Sequence, residues 1–339
     1  MDLSKLIFNV AVLFIMMVPG IILKKAKLIP ENFGKGVSNL VLYIAQPALI
    51  VCAYYNCTLS FADIRRNVLL VLLFSVIAHV IFTSAAMLLF KSAPDGRQKM
   101  LRFATLFSNA AFMGIPLIET LYGSEAAIYA SIYNITFNLF LWTLGVYICT
   151  HNRKEDVDKD GDVDVVDNLL ALKRTAKSEV SLLKVLIHPV TLASVVGIIF
   201  LVCGITATKV DLGVISSSLN MLKGLVAPLS MLVIGLRLAD IDFSGFLNDK
   251  NMYLFLALRH FILPLAVMGV LKAFGLFLEF PKLIEDSIII MAAAPAASSA
   301  TMFAEKYNCD AAYVSRLVAI STILSIATMP AVLAISNLF

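Results

Sequence analysis

The chain has 339 residues, 60% of them hydrophobic and 15% charged, with a formal net charge of +4. With a mean hydropathy of +0.90, this excludes an ordinary soluble domain and predicts an all-α, polytopic membrane protein. The net charge is too small to argue for nucleic acid as a partner, and the five scattered cysteines show neither CxxC pairing nor metal-ligand spacing.

A helical span needs about 20 predominantly apolar residues, and ten such stretches are predicted. The first, 6–23, lacks the basic start and small-residue cleavage site of a signal peptide. The second, 37–55, contains Pro47. The third, 68–90, has His79 as its one ionisable side chain. The fourth, 103–122, holds FSNAAFMGIPLIETLYG, where Asn109, Gly114 and Pro116 interrupt an otherwise apolar run. The fifth, 126–149, is uncharged but carries Asn134 and Asn138 at i, i+4, on one helix face.

After the hydrophilic stretch 150–184 come a sixth span at 185–206, a seventh at 219–236 with Pro228, and an eighth at 252–277. The ninth, 287–304, is the second broken segment, around Pro295. The tenth, 317–339, contains Pro330. Lys223 and Arg259 sit inside the seventh and eighth spans and are expected to snorkel towards an interface. Most Lys and Arg fall on the side of the 150–184 stretch. That bias places the stretch in the cytoplasm and both termini outside.

The stretch divides the chain into a five-span half at 1–149 and another at 185–339, so a repeat would have to be inverted in the membrane. Pro47 and Pro116 are spaced almost as Pro228 and Pro295 are, and Tyr122-Gly-Ser-Glu-Ala-Ala echoes Tyr307-Asn-Cys-Asp-Ala-Ala. Aligning the tyrosines instead puts Thr301 opposite Pro116, which leaves the second break open anywhere from Pro295 to Thr301.

Half-helix N-termini expose unpaired N–H groups and partial positive charge, which suits a carboxylate. The candidate substrate-binding residues are therefore Asn109, Gly114 and Pro116 from one break, and Pro295, Ser298 and Ser299 from the other. His79, Asn134 and Asn138 are candidates for ion coupling or for lining the cavity; each also has a plain reading as a helix–helix hydrogen bond.

In the central stretch, 156–167 reads DVDKDGDVDVVD. Asp156, Asp158, Asp160, Asp162, Asp164 and Asp167, with Gly161 at the sixth position, have the spacing of a calcium loop. An acidic solvated linker is the alternative.

These residues resemble the auxin efflux carrier superfamily, which includes bacterial malate and malonate permeases. The similarity is carried by QPALI, SNAAFMGIPL, HPVTLASVVGII, APLSMLVIGLRL, PAASSATMFAEKYN and STILSIATMP. It implies ten helices in two inverted five-helix repeats, a scaffold part, a moving part and an elevator-like displacement. It also implies crossed broken helices at the centre of the moving part. Where the family's sixth span begins Asn-Pro, this chain has His188-Pro189.

The expectation is a secondary transporter of small organic anions (malate, malonate or auxin-like acids) in the cytoplasmic membrane. Coupling to a proton or sodium and uniport are both left open, a homodimer is compatible, no cofactor is required and no enzyme chemistry is expected. No nucleotide-binding loop or catalytic triad is present. The alternative is a membrane-embedded sensor or receptor for an acid.

Overall fold

The computed structural model describes residues 3–58, 61–91, 93–150, 187–241, 249–279 and 281–338. The calcium-loop residues 156–167 lie outside this set. Every element among the described residues is helical. Among the described residues seven helices are long and apolar enough to cross a membrane: Ile7–Lys25, Phe33–Tyr55, Asp63–Leu89, Ser124–Thr150, Val214–Leu238, Lys250–Gly275 and Ala311–Ser336. Ala110–Tyr122 and Pro189–Val202 are shorter apolar helices. The molecule is a polytopic helical membrane protein.

The first half comprises α1 (Leu3–Ile15), α2 (Val18–Lys25), α3 (Phe33–Leu40), α4 (Gln46–Tyr55), α5 (Phe61–Leu89), α6 (Asp95–Leu106), α7 (Ile115–Tyr122), α8 (Ser124–Phe140) and α9 (Val146–Thr150). The second comprises α10 (Pro189–Val202), α11 (Val214–Lys223), α12 (Val226–Leu238), α13 (Lys250–Ala257), α14 (Leu263–Gly275), α15 (Lys282–Ala293), α16 (Ser299–Lys306) and α17 (Ala311–Ser336).

Wide π-turns join several of these helices, and three of them precede a proline by the same offset. Val41–Ala45 is followed by Pro47, Ala110–Gly114 by Pro116, and Leu258–Ile262 by Pro264. Proline has no N–H, and its ring crowds the carbonyl four residues back. Widening the helix by one residue hands the preceding carbonyls to donors five residues on. The N–H groups of Gln46, Ile115 and Leu263 accordingly reach back to the carbonyls of Val41, Ala110 and Leu258. A further π-turn among the described residues, Leu141–Gly145, has no proline but ends on a glycine against the rings of Phe103 and Phe107, where a Cβ would sit at 3.1 and 3.2 Å.

Glycines also set the tightest helix contacts. α2 packs on α12 and α10 packs on α4. A Cβ on Gly20 would lie 2.9 Å from the Leu236 nitrogen, and one on Gly235 would run into the Met17 carbonyl. A Cβ on Gly197 would enter the Tyr54 ring. In a membrane, van der Waals contact of this closeness supplies the association that hydrophobic burial supplies in water.

The ninth predicted span begins earlier than composition indicated, because α15 starts at Lys282 and buries Glu285 and Asp286. Both acids are paired: Glu285 with Lys272 at 2.7 Å, and Asp286 with Lys282 at 3.3 Å and the Tyr122 hydroxyl at 2.9 Å. Pairing is what lets these charges enter an apolar bundle.

Gly235→Val is expected to destabilise the purified protein by roughly 1–3 kcal/mol, the usual cost of overpacking. Gly269→Ala, where nothing lies within 4 Å, should not lower the melting temperature. Equal melting of Gly235→Val and the parent would contradict the close contact.

Candidate functional site

The site is built where two helices break. α6 ends at Leu106, Phe107 turns extended (φ −99°, ψ 121°), and a π-turn restarts the chain into α7. α15 ends at Ala293, Ala294 turns extended (φ −58°, ψ 145°), and α16 restarts at Ser299. Extended backbone at membrane depth has no water to satisfy it. The two segments satisfy each other instead, forming an antiparallel bridge between Ser108 and Ala296. Asn109 N–H donates to Pro295 O at 2.7 Å, and Ala297 N–H donates to Phe107 O at 2.8 Å.

Of Asn109, Gly114 and Pro116, which together were expected to mark the first break, Asn109 lies at it and the other two lie downstream. The helix is left at Phe107–Asn109; Gly114 closes the π-turn, and Pro116 is the second residue of α7. Proline is tolerated there because the widened turn before it accommodates the ring and the missing N–H. Gly114 is needed for a close approach, since a Cβ would lie 2.6 Å from the Met291 sulfur. The second break covers Ala294 to Ser298. Pro295 lies within it, Ser298 is the N-cap residue, and Ser299 opens α16 half-buried. Thr301 is inside α16, its hydroxyl 3.2 Å from that of Ser315.

Each break exposes two kinds of helix end. The C-terminal ends of α6 and α15 carry partial negative charge, and Arg259 covers both. Its Nη1 donates to Thr105 O at 3.1 Å, its Nη2 to Ala292 O at 3.0 Å and Ala294 O at 2.7 Å, and its Nε to Ala294 O at 3.1 Å. The guanidinium lies 5.0 Å from the centre of the Phe82 ring. Arg259 therefore does not snorkel; it is wholly buried. Lys223 does not run to bulk solvent either, for it pairs with Glu119 at 2.9 Å and donates to the Ser124 hydroxyl at 2.9 Å.

His260, next on the same π-turn, ties the second break to α17. Ala296 N–H donates to Ser321 Oγ at 3.0 Å, and Ser321 Oγ lies 2.9 Å from His260 Nε2. His260 Nδ1 lies 2.8 Å from Thr328 Oγ1, which donates to Leu324 O at 3.2 Å. Run in one direction, this chain makes Nδ1 the protonated nitrogen and satisfies every member with a neutral ring.

The N-terminal ends are treated differently. The Asn109 carbonyl accepts from Met113 and Gly114, and its Oδ1 accepts from Ser298 Oγ at 3.2 Å. Its Nδ2 is buried without a partner. Gln46 donates from Nε2 to Ala111 O, while its Oε1 is buried and unpaired. Arg237 Nη1 donates to Ser298 O at 2.7 Å. Among the described hydrogen bonds and ion pairs, no carboxylate engages Asn109, Ser298 or Arg237, although Glu305 lies near enough to Arg237 to interact with its charge.

Gln46, Arg237 and Arg259 were not read as site residues from the sequence. The available signal for Arg259 was a cation in mid-span beside His260 and ahead of Pro264.

The remaining candidates are not joined to the crossover by any described bond. His79 Nδ1 donates to Ser75 O at 2.7 Å within its own helix, which fixes the proton on that nitrogen, and its ring packs on Tyr133 and Phe140. Asn134 is buried with both amide atoms unpaired, as is Asn138 Nδ2. A cavity of about 400 Å³ between α1 and α17, lined by Ile7, Val10, Ala327 and Pro330, has only apolar side chains and no means of orienting an acid.

Ser321→Ala should cost about 1–3 kcal/mol in chemical or thermal unfolding, because it strands the buried Ala296 N–H and His260 Nε2 together. An unchanged stability would contradict the network.

The model of the family described as membrane transport protein matches residues 5–333. An uncharacterized transporter of Methanothermobacter thermautotrophicus is 25% identical over 331 residues, 97% of each chain. Taken with the apolar helices and the paired breaks, this coverage shows that the chain belongs to the membrane transport protein family, the auxin efflux carrier group that its motifs resemble.

Proposed function

We propose that the protein is a secondary transporter of small organic anions, with mono- or dicarboxylates as the substrate class. One observation carries the reading: the charge of the two breaks is handled asymmetrically. The negative helix ends are covered by Arg259, a residue of the chain itself. The positive ends of the α7 and α16 halves are faced by the unpaired Asn109 amide and by Arg237, with no bonded carboxylate among the described residues. Two helix N-termini, a free donor and a guanidinium together favour an anion over a cation or a neutral sugar. In this reading Asn109, Ser298 and Ser299 contact the substrate directly, while Gly114, Pro116 and Pro295 shape the backbone around it.

The architecture we propose is ten spans in two inverted five-helix repeats. Support comes from contacts that exchange in pairs. α10 on α4 answers α2 on α12; α7 beside α8 answers α16 beside α17; α5 beside α6 answers α14 beside α15. Pro47 and Pro228 also answer each other, each in the first turn of a restarted helix. An elevator-like cycle would then move the crossover against a scaffold of α1–α4 and α10–α12. The polar connections across this boundary include Gln46 to Ala111, Arg237 to Ser298, Lys223 to Glu119 and Ser194 to Ser131, beside the packing of α8 on α4 and α10.

We place the chain in the cytoplasmic membrane with both termini outside, on the charge bias of its loops. The family favours transport over the sensor alternative. The 156–167 loop is proposed as a calcium site separate from transport; calorimetric titration of the whole protein should show binding at millimolar calcium, and no heat there would remove it.

The direct test is uptake or exchange of labelled malate, malonate and indole-acetate in proteoliposomes under imposed proton and sodium gradients. At least one acid should move. Asn109→Ala and Arg237→Gln should each weaken its apparent affinity about tenfold or more, the scale of one charge-assisted hydrogen bond. If none moves, and Asn109→Ala binds acids as the parent does, the reading fails.

A further inference from the structure

We infer that Arg259 is the resident cation of the crossover, standing where a coupling sodium ion would otherwise be held, so that transport proceeds without sodium. The inference rests on the transporter reading above.

Broken-helix transporters that use sodium hold it with unwound carbonyls and the C-terminal ends of half-helices. Such groups converge here. Thr105 O comes from the end of α6; Ala292 O and Ala294 O come from the end of α15. All three already accept hydrogen bonds of 2.7–3.1 Å from one guanidinium.

That guanidinium suits the position for stated reasons. It is planar, so a single group reaches carbonyls from two helices, and it is more weakly hydrated than an ammonium. Burying it is opposed by desolvation, which the three carbonyl dipoles and the face of Phe82 offset. No carboxylate bonds to it among the described interactions, so its positive charge faces the helix ends and the Phe82 ring. His260, its neighbour, is hydrogen-bonded at both ring nitrogens by Thr328 and Ser321, an arrangement that a neutral ring satisfies.

The functional consequence follows from tethering. A sodium ion that binds and leaves in each cycle brings the energy of its gradient. A cation fixed to the chain neutralises the same helix ends throughout the cycle and brings none. It also travels with the bound anion, so the substrate's charge crosses the bilayer beside a fixed opposite charge.

The test compares the whole protein in sodium chloride and in choline chloride at equal ionic strength, by melting temperature and by uptake of whichever acid is transported. The parent should show the same melting temperature in both salts and uptake equal within twofold. Arg259→Gln empties the carbonyl cluster and should lower uptake more than tenfold. Millimolar guanidinium should restore part of the uptake of Arg259→Ala. Arg259→Lys, which keeps the charge but not the fork, should give reduced uptake that is still indifferent to sodium.

A melting temperature of the parent that rises with sodium, or uptake that requires it, overturns the inference. So does an Arg259→Gln variant that transports as the parent does. If that variant does not fold, the two-salt comparison on the parent and on Arg259→Lys decides. If no acid moves at all, the transport reading has failed, and the melting comparison still tests the crossover by itself.

Discussion

Two helices broken inside a membrane release backbone groups that lipid cannot satisfy, and the structure depends on how those groups are met. The answer has three parts. The extended segments pair with each other through Ser108 and Ala296. Arg259 takes the carbonyls at the two C-terminal ends. Ser321, held by His260, takes the N–H of Ala296. Arg259 and His260 reach their positions because the π-turn before Pro264 carries both of them. A local accident of proline sterics is thereby coupled to the centre of the molecule.

What is left unsatisfied is as informative as what is met. The protein supplies its own cation to the negative ends but no bonded carboxylate, among the described residues, to the positive ones. An unpaired buried amide donor at Asn109 is costly to keep unless something else accepts from it. The polar contacts that cross from α4, α11 and α12 to the breaks are single bonds or one ion pair.

Much of the span pattern was legible in the sequence, because apolar run length is a strong signal in membranes. The positions of Pro47, Pro116, Pro228 and Pro295 pointed to the interrupted helices. They did not show where each helix is left. Pro116 lies downstream of its break while Pro295 lies within the other, so one proline rule cannot fit both. The π-turns make the difference, since a widened turn moves the strain of a proline away from the proline itself. Arg259 was misplaced for another reason. A cation in an apolar span looks the same in sequence whether it snorkels to an interface or caps two helices, and only the partner elements distinguish the cases. Gln46 and Arg237 act through carbonyls of residues far along the chain, which no local pattern encodes.

The central claim is that an anionic group is bound at the two half-helix N-termini. Competition binding to the purified protein, between a transported carboxylate and its neutral methyl ester, tests it most directly when repeated on Asn109→Asp. The account predicts binding of the carboxylate at least tenfold tighter than the ester, and loss of that preference when a negative charge is placed at position 109. Equal affinity for ester and acid, or a preference that survives Asn109→Asp, would contradict it.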